Sequence, residues 1–211
     1  MLANELGRRG IRCLIVDSKP GTAFNPQANA TQARTMEHYR RHGFAQEVRT
    51  QGLPADHPTD IAYLTRFAGI ELARLRLPTA GAAPEAIKHM SGSWSAAELP
   101  HRVSQKFVEV VLREHAQSWP SIDLRYGWQL QSFQDTGHGI EATVQPVGGT
   151  EAQAVQVRAA YMVGADGARS MVRAQLGISW EGATGFKRNF MGGRMLAVYL
   201  RAPDFYNYNP N

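Results

Sequence analysis

The sequence predicts a mixed α/β fold, and three observations carry that expectation. Helical patterns alternate with short apolar strand patterns, and glycines stand where most of the helices should stop. The third is a junction: the apolar run Tyr161-Met162-Val163 ends abruptly in Gly164-Ala165-Asp166-Gly167-Ala168-Arg169-Ser170, then passes into a short helical pattern, Met171 to Leu176, closed by Gly177. A strand that delivers a glycine-bracketed carboxylate to a helix start suits a sugar-phosphate ligand. Glycines admit close backbone approach, Asp166 can accept from ribose or ribityl hydroxyls, and a helix N-terminus favours phosphate. The plainer alternative for the same residues is a tight strand-to-helix turn with Ser170 as N-cap.

Taken in order, Leu2 to Gly10 has the pattern of the end of an amphipathic helix, with Gly10 as its C-terminal stop. Ile11 to Val16 follows as a short buried strand ending on Asp17, the place where a dinucleotide-binding βαβ unit carries the acid for the adenosine ribose. A solvated strand-end acid would look the same. The first strand and Gly-x-Gly-x-x-Gly turn of such a unit do not precede this helix. The expectation is a chain cut at its start, whose strand Ile11–Asp17 has an open edge that invites association. Ser18 to Asn25 is a polar loop, and a helix is expected from about Ala28 to His42, stopped by Gly43. Ile61 to Leu77 alternates in two stretches around Ala68-Gly69, as a hairpin does, and the Ala/Pro-rich stretch Thr79 to Glu98 reads as an exposed connection.

Leu99 to Gln105 opens a further helix running to about Ser118, with Phe107, Val108, Val111, Leu112 and His115 on its inner side. Arg102 and Gln105 stand at its start and first turn, where a side chain can turn back to a ligand or face solvent. Leu124–Phe133, Gly139–Val147 and Ala154–Val163 read as a three-stranded meander. Met195 to Leu200 alternates again, as the first strand of another sheet would. The glycine- and aromatic-bearing loop Gly185 to Arg194 before it is a candidate for substrate or nicotinamide contacts.

Composition narrows the function classes. A chain of 211 residues, 43% of them hydrophobic, can bury one good core with a second lobe beside it. No apolar run is long enough for a bilayer, and no signal-peptide pattern opens the chain. The single cysteine, Cys13, leaves no disulfide within the chain, and the seven histidines lack metal spacing, which points to a reducing cytoplasm and no metal centre. The net charge is +5, but the basic residues are dispersed, without a Lys/Arg run or interleaved aromatics, which argues against nucleic acid.

These segments together resemble the flavin-dependent aromatic hydroxylases, the para-hydroxybenzoate and phenol hydroxylase family of single-component FAD monooxygenases. The likeness is carried by Leu2 to Asp17, Gln27-Ala28-Asn29, Ala33-Arg34-Thr35-Met36-Glu37, Arg40-Arg41-His42-Gly43-Phe44 and His101-Arg102-Val103-Ser104-Gln105. Most diagnostic is Gly164-Ala165-Asp166-Gly167-Ala168-Arg169-Ser170. The resemblance implies a Rossmann-like FAD-binding domain lacking its first strand, with a β-meander and part of a β-rich substrate lobe. It divides the chain into 1–58 and 99–182 for FAD, and 59–98 and 183–211 for substrate. It implies that Asp17 holds the adenosine ribose, that Gln105 contacts the flavin with Arg102 nearby, and that Asp166 and Gly167 serve both FAD and NAD(P)H. Gln27 would line the FAD site, although relatives often carry arginine there. The family's opening glycine turn is absent, as is its later Gly-Asp-Ala-x-His segment, so weak FAD binding is expected of the chain alone. The implied reaction is NAD(P)H-dependent reduction of FAD followed by hydroxylation of a phenolic ring with O2. Tyr63, His89 and Tyr199 are candidates to polarise the substrate hydroxyl, though each suits packing or surface equally well. The alternatives are a reductase or halogenase of the same fold, or a non-catalytic remnant that acts as a binding module.

Overall fold

The computed structural model describes residues 1–92, 95–182, 193, 198 and 200–208. It divides into two compact units, Met1–Trp128 with Ala202–Asn211, and Gln129–Arg201.

In the first unit, helix α1 (Leu2–Gly7) closes through Gly10, which takes a left-handed φ of 68° while Ile11 N donates back to Leu6 O. Asn4 is buried and its Nδ2 donates to Leu112 O at 3.1 Å, tying this helix to a later one. Strand β1 (Cys13–Asp17) follows, and after a loop come the two-residue strand β2 (Ala30–Thr31), helix α2 (Ala33–His42) and helix α3 (Ala45–Thr50). Gly43, at φ 90°, makes the turn between the two helices. A bulged antiparallel hairpin joins β3 (Ile61–Leu64) to β4 (Glu71–Leu75), and the short helix α4 (Ala83–Lys88) lies beyond it. Strand β5 (His101–Arg102), helix α5 (Gln105–Gln117) and strand β6 (Ile122–Tyr126) complete this part.

Strands β1 and β6 pair in parallel, with Cys13 opposite Ile122 and Asp17 opposite Tyr126. Among the described residues β6 is the one strand paired with β1. Helices α2, α3 and α5 enclose the core, made of Met36, Tyr39, Phe44, Ala45, Val48, Val103, Val108 and Val111.

Three local expectations need correction here. Helix α2 starts at Ala33 rather than near Ala28, because Ala30 and Thr31 are extended and pair antiparallel with Arg102 and His101. Phe107 faces outward, 42% exposed beneath the Lys106 ammonium, while Val108, Val111 and Ala116 form the inner face of α5. Between Thr79 and Glu98 the chain is not all exposed connection, since α4 buries Ala83.

The second unit holds a three-stranded sheet in the order β7 (Trp128–Asp135), β8 (Ile140–Pro146), β9 (Val155–Ala159), with β8 and β9 antiparallel, and then helix α6 (Met171–Gln175). The meander is present, with two differences. Gly127, at φ 70°, breaks the single strand expected over Leu124–Phe133, so its first half pairs with β1 and its second half enters this sheet. Strand β9 ends at Ala159; Tyr161 and Val163 are 89% and 67% exposed and have no ladder partner among the described residues. An apolar run becomes a strand only where another backbone supplies its hydrogen bonds. The segments Gly185–Arg194 (Gly193 apart) and Met195–Leu200 (Val198 and Leu200 apart) lie outside the described residues.

Two buried histidines give the first unit a definite response to acid. Burial holds His101 below the ordinary histidine value, helped by the Arg49 charge and opposed by a hydrogen bond to the Arg49 backbone. Burial likewise lowers His42, against the pull of Glu5, whose Oε2 lies 2.7 Å from Nε2. The unfolded chain therefore takes up these protons near pH 6.5, before the folded chain does. Their contribution to stability is complete above that pH and is lost as the pH falls towards the folded values. The urea midpoint of unfolding is expected to drop between pH 7.5 and pH 5.5, and His101→Gln to flatten the slope. A midpoint that holds or rises on acidification would contradict two buried neutral imidazoles.

Candidate functional site

The first unit collects several of the proposed site residues around the loop that leaves β1. Asp17 ends that strand, and its Oδ1 accepts from Lys19 N at 2.9 Å. This starts the loop with a local turn and leaves Oδ2 without a described partner. Across the ladder from Asp17 stands Tyr126, whose phenol is pushed up by burial, opposed by Arg113 and reinforced by the carboxylates of Asp17 and Glu109.

The far end of the loop is fastened to the β5–α5 junction. Val103 N donates to Asn29 O and Gln105 N to Ala28 O, both at 3.0 Å, extending the β2–β5 pairing into the first turn of α5. From that turn the Gln105 side chain reaches back. Its Oε1 accepts from Gln27 N at 2.9 Å and its Nε2 donates to Glu109 Oε1 at 2.6 Å. The second oxygen of Glu109, Oε2, accepts from Ala23 N at 2.6 Å. Glu109 was not singled out in the sequence, although its i,i+4 spacing from Gln105 on one helix was the available signal.

Beside this network is a cavity of about 240 Å³, lined by Thr31, Thr35, Tyr39, Val103, Gln105 and Val108, with Ala28, Ala30 and Gln32. None of these residues is charged. Arg102, half-buried in β5 opposite Ala30, makes no side-chain hydrogen bond or ion pair with a described residue. Gly52 keeps β5 in place by having no side chain: a Cβ there would lie 2.3 Å from His101 Nε2 and 2.6 Å from Arg102 O. The Gln27 side chain is exposed and makes no hydrogen bond with a described residue, so its backbone alone joins the network.

The second unit holds Asp166 and Gly167. Gly167, at φ 78°, makes the turn into α6, and a Cβ on Gly164 would lie 2.8 Å from Val172 side-chain atoms, so the first is favoured by the backbone and the second by the close approach of Val172. Asp166 Oδ1 accepts from Ser170 Oγ, and its Oδ2 accepts from Met171 N at 2.7 Å and Val172 N at 3.2 Å. Ser170 is the N-cap and its Oγ accepts from Arg173 N. The hydroxyl of Ser170, followed by the backbone amides, holds the Asp166 carboxyl below the ordinary range, so it is ionised at neutral pH. Three of the roughly four acceptor positions of a carboxylate are thus used in starting the helix. Both interpretations of the motif, helix cap and ligand acceptor, meet in one side chain, which keeps about one lone pair for a ligand.

Of the candidates for polarising a substrate, Tyr63 on β3 is 60% exposed, and the exposed ring of His89 pairs with Glu85 at 3.2 Å. Tyr199 lies outside the described residues.

Comparison with known proteins decides the family. The pattern described as FAD binding domain matches residues 1–208. The chain belongs to that family. Within the FAD binding domain family the chain is similar to the aklavinone 12-hydroxylase DnrF of Streptomyces peucetius subsp. caesius, with 32% identity over 219 residues, covering 95% of this chain and 42% of that protein. It is also similar to the 2,4-dichlorophenol 6-monooxygenase of Delftia acidovorans, with 30% identity over 182 residues, 85% of this chain and 30% of that protein. The solved structure of the flavin-dependent monooxygenase PieE in complex with FAD and substrate superposes with a TM-score of 0.72 at 33% identity, covering 88% of this chain and 31% of that one. The chain spans less than half the length of these relatives. The mixed α/β fold expected from the sequence is that of its FAD-dependent neighbours, and FAD is the family's cofactor.

The residues of this FAD binding domain suit the cofactor. The cavity is smaller than the roughly 300–1,000 Å³ of a complete ligand site, so it can take part of the dinucleotide only. Its uncharged lining suits a ring or polyol. The Arg102 guanidinium, without a side-chain partner among the described residues, offers a fork of donors of the kind phosphate oxygens accept.

Proposed function

We propose that the whole protein is an FAD-dependent monooxygenase that uses NAD(P)H and O2 to hydroxylate an aromatic, phenolic substrate. The observation that carries this reading is the Gln27–Gln105–Glu109 network beside an uncharged cavity and an Arg102 with no side-chain partner among the described residues, in a chain of the FAD binding domain family. The relatives support it by name, since two of them hydroxylate or monooxygenate aromatic compounds. When bound, FAD supplies the redox chemistry, accepting a hydride from NAD(P)H and activating O2 for transfer of one oxygen atom to the ring.

The chain's own residues bind and orient. Asp17 offers its free Oδ2 to ribose hydroxyls at the end of β1. Arg102 offers its donors to phosphate oxygens. Gln105 lines the cavity and keeps one N–H and one lone pair beyond its two bonds, so it can order a group that both donates and accepts. Gln27 supplies the loop edge against which the cofactor lies. Asp166 and Gly167 serve the cofactor through the remaining lone pair and the close-approach turn. In this reading residues 1–58 and 99–182 hold FAD, and 59–98 with 183–211 face the substrate. The single cysteine and dispersed basic surface support a cytoplasmic protein whose partners are the aromatic substrate and O2 rather than nucleic acid. No helix among the described residues is long and apolar enough to cross a membrane.

The test is oxidation of NADH or NADPH by the purified whole protein with a panel of phenols under ¹⁸O2. Stimulated oxidation with one labelled oxygen in the product is the expected result. Reduction of a substrate with no label incorporated would favour the reductase alternative, and no bound flavin at all would remove the enzyme reading.

A further inference from the structure

Between Lys19 and Gln27 the loop after β1 is held, among the described residues, by one hydrogen bond, from Ala23 N to Glu109 Oε2 at 2.6 Å. Its start is fixed by the Asp17–Lys19 turn and by Gly127 N donating to Lys19 O at 2.8 Å, and its end by Gln105. Phe24 and Asn25 at its tip are exposed, Phe24 to 89%, while Gly21 to Ala23 and Pro26 are half-buried. Among the described residues the middle of this loop is thus fastened by a single hydrogen bond, which joins residues 86 apart in sequence.

The same carboxylate settles a second matter. A glutamine amide has one accepting and one donating end, and either way round fills the same space. At Gln105 the choice is forced from both sides. Gln27 N–H can only donate, so it requires Oε1, and the Glu109 carboxylate can only accept, so it requires Nε2. Turning the amide over would set N–H against N–H and oxygen against oxygen.

We infer that Glu109 is the positioning residue of the flavin site: it latches the β1–β2 loop to α5 and locks the Gln105 amide in the orientation that the cofactor meets. This role rests on the flavin reading proposed above. It assigns Glu109 no contact with FAD and no part in proton transfer; it acts through Ala23 and Gln105. Two acceptor oxygens are needed for the two bonds, so a glutamine at 109 can keep only one of them. Tyr126, opposite Asp17 across the ladder, has its phenol raised by burial first and by the Asp17 and Glu109 carboxylates after it.

The experiment compares Glu109→Ala and Glu109→Gln in the whole protein with Glu114→Gln, an exposed control on the same helix. Hydrogen exchange at the Ala23 amide is measured without FAD, and FAD dissociation is followed by the return of flavin fluorescence. Loss of one charge-assisted bond of this kind corresponds to about a ten- to hundredfold change. Ala23 exchange and the FAD dissociation rate are both expected to rise by that factor in Glu109→Ala and by less in Glu109→Gln. The urea midpoint should stay near that of the parent, because the loop adds little to the core. Ala23 exchange unchanged in Glu109→Ala would overturn the latch. Faster exchange with unchanged FAD release from a parent that binds FAD would overturn the positioning role while leaving the flavin reading intact. A drop in midpoint that accounts for both changes would make Glu109 merely structural. A parent protein that binds no FAD would overturn the flavin reading itself, and this role with it.

Discussion

Phe44→Ala is expected to cost about 3–5 kcal/mol of the stability of the first unit. Phe44 is 1% exposed and follows the Gly43 turn, so its ring drops into the space between α2 and α5. It lies 5.3 Å from the Tyr39 ring, 5.8 Å from that of His42 and 4.7 Å from that of His115. Truncation leaves a cavity that three stiff rings cannot collapse to fill. Against a typical total of about 5–15 kcal/mol, the loss is a large part of what holds the fold. Tyr39 and Val108 line both the core and the candidate cavity, so flavin binding should weaken along with stability. Phe24→Ala, at an 89% exposed position, should shift stability by no more than about 0.5 kcal/mol. Equal urea midpoints for the two variants would show that the core is not where Phe44 sits.

The second large effect is expected at Asp166. In the whole protein, Asp166→Ala should lower FAD affinity or nicotinamide-dependent reduction by roughly one to two orders of magnitude, the usual range for a lost charge-assisted bond. The structure adds a second consequence, since the variant also strips the α6 start of the acceptor for Met171 N and Val172 N. Ser170→Ala separates the two contributions. It removes the cap on Arg173 N and the donor to Asp166 while leaving the carboxylate in place. If Asp166 acts on the cofactor, Asp166→Ala loses far more flavin affinity than Ser170→Ala; equal losses make it a helix cap only. Asp56→Ala, in an exposed turn, is the control and should change little. Acid should reproduce part of the effect. The Asp166 carboxyl titrates below its unfolded value, so its stabilising contribution is present at neutral pH and is lost only as the pH falls through that lowered value.

Much of this protein is determined over short spans, and those parts were legible in the amino-acid order. Gly10, Gly43 and Gly177 end their helices with left-handed φ values of 68°, 90° and 71°, a conformation that glycine adopts without a Cβ clash. The turn around Asp166 and Gly167 lies where the pattern placed it, because a cap involves only near neighbours; the strand ending on Asp17 has local apolar composition, but its ladder is supplied by β6. Tertiary structure alone decided the rest. Ala30 and Thr31 leave the helical pattern because Arg102 and His101 pair with them. Tyr161 to Val163 has strand composition but no described ladder partner, and Gly127 sends the two halves of one apolar run to different sheets. Glu109 reads locally as one more charge on an amphipathic helix. Its two bonds, one within α5 and one to a residue 86 positions away, exist only once the loop has folded back. Helices and caps are settled by bonds within a few residues, whereas strand pairing, loop anchoring and amide orientation depend on groups that only the folded chain brings within reach.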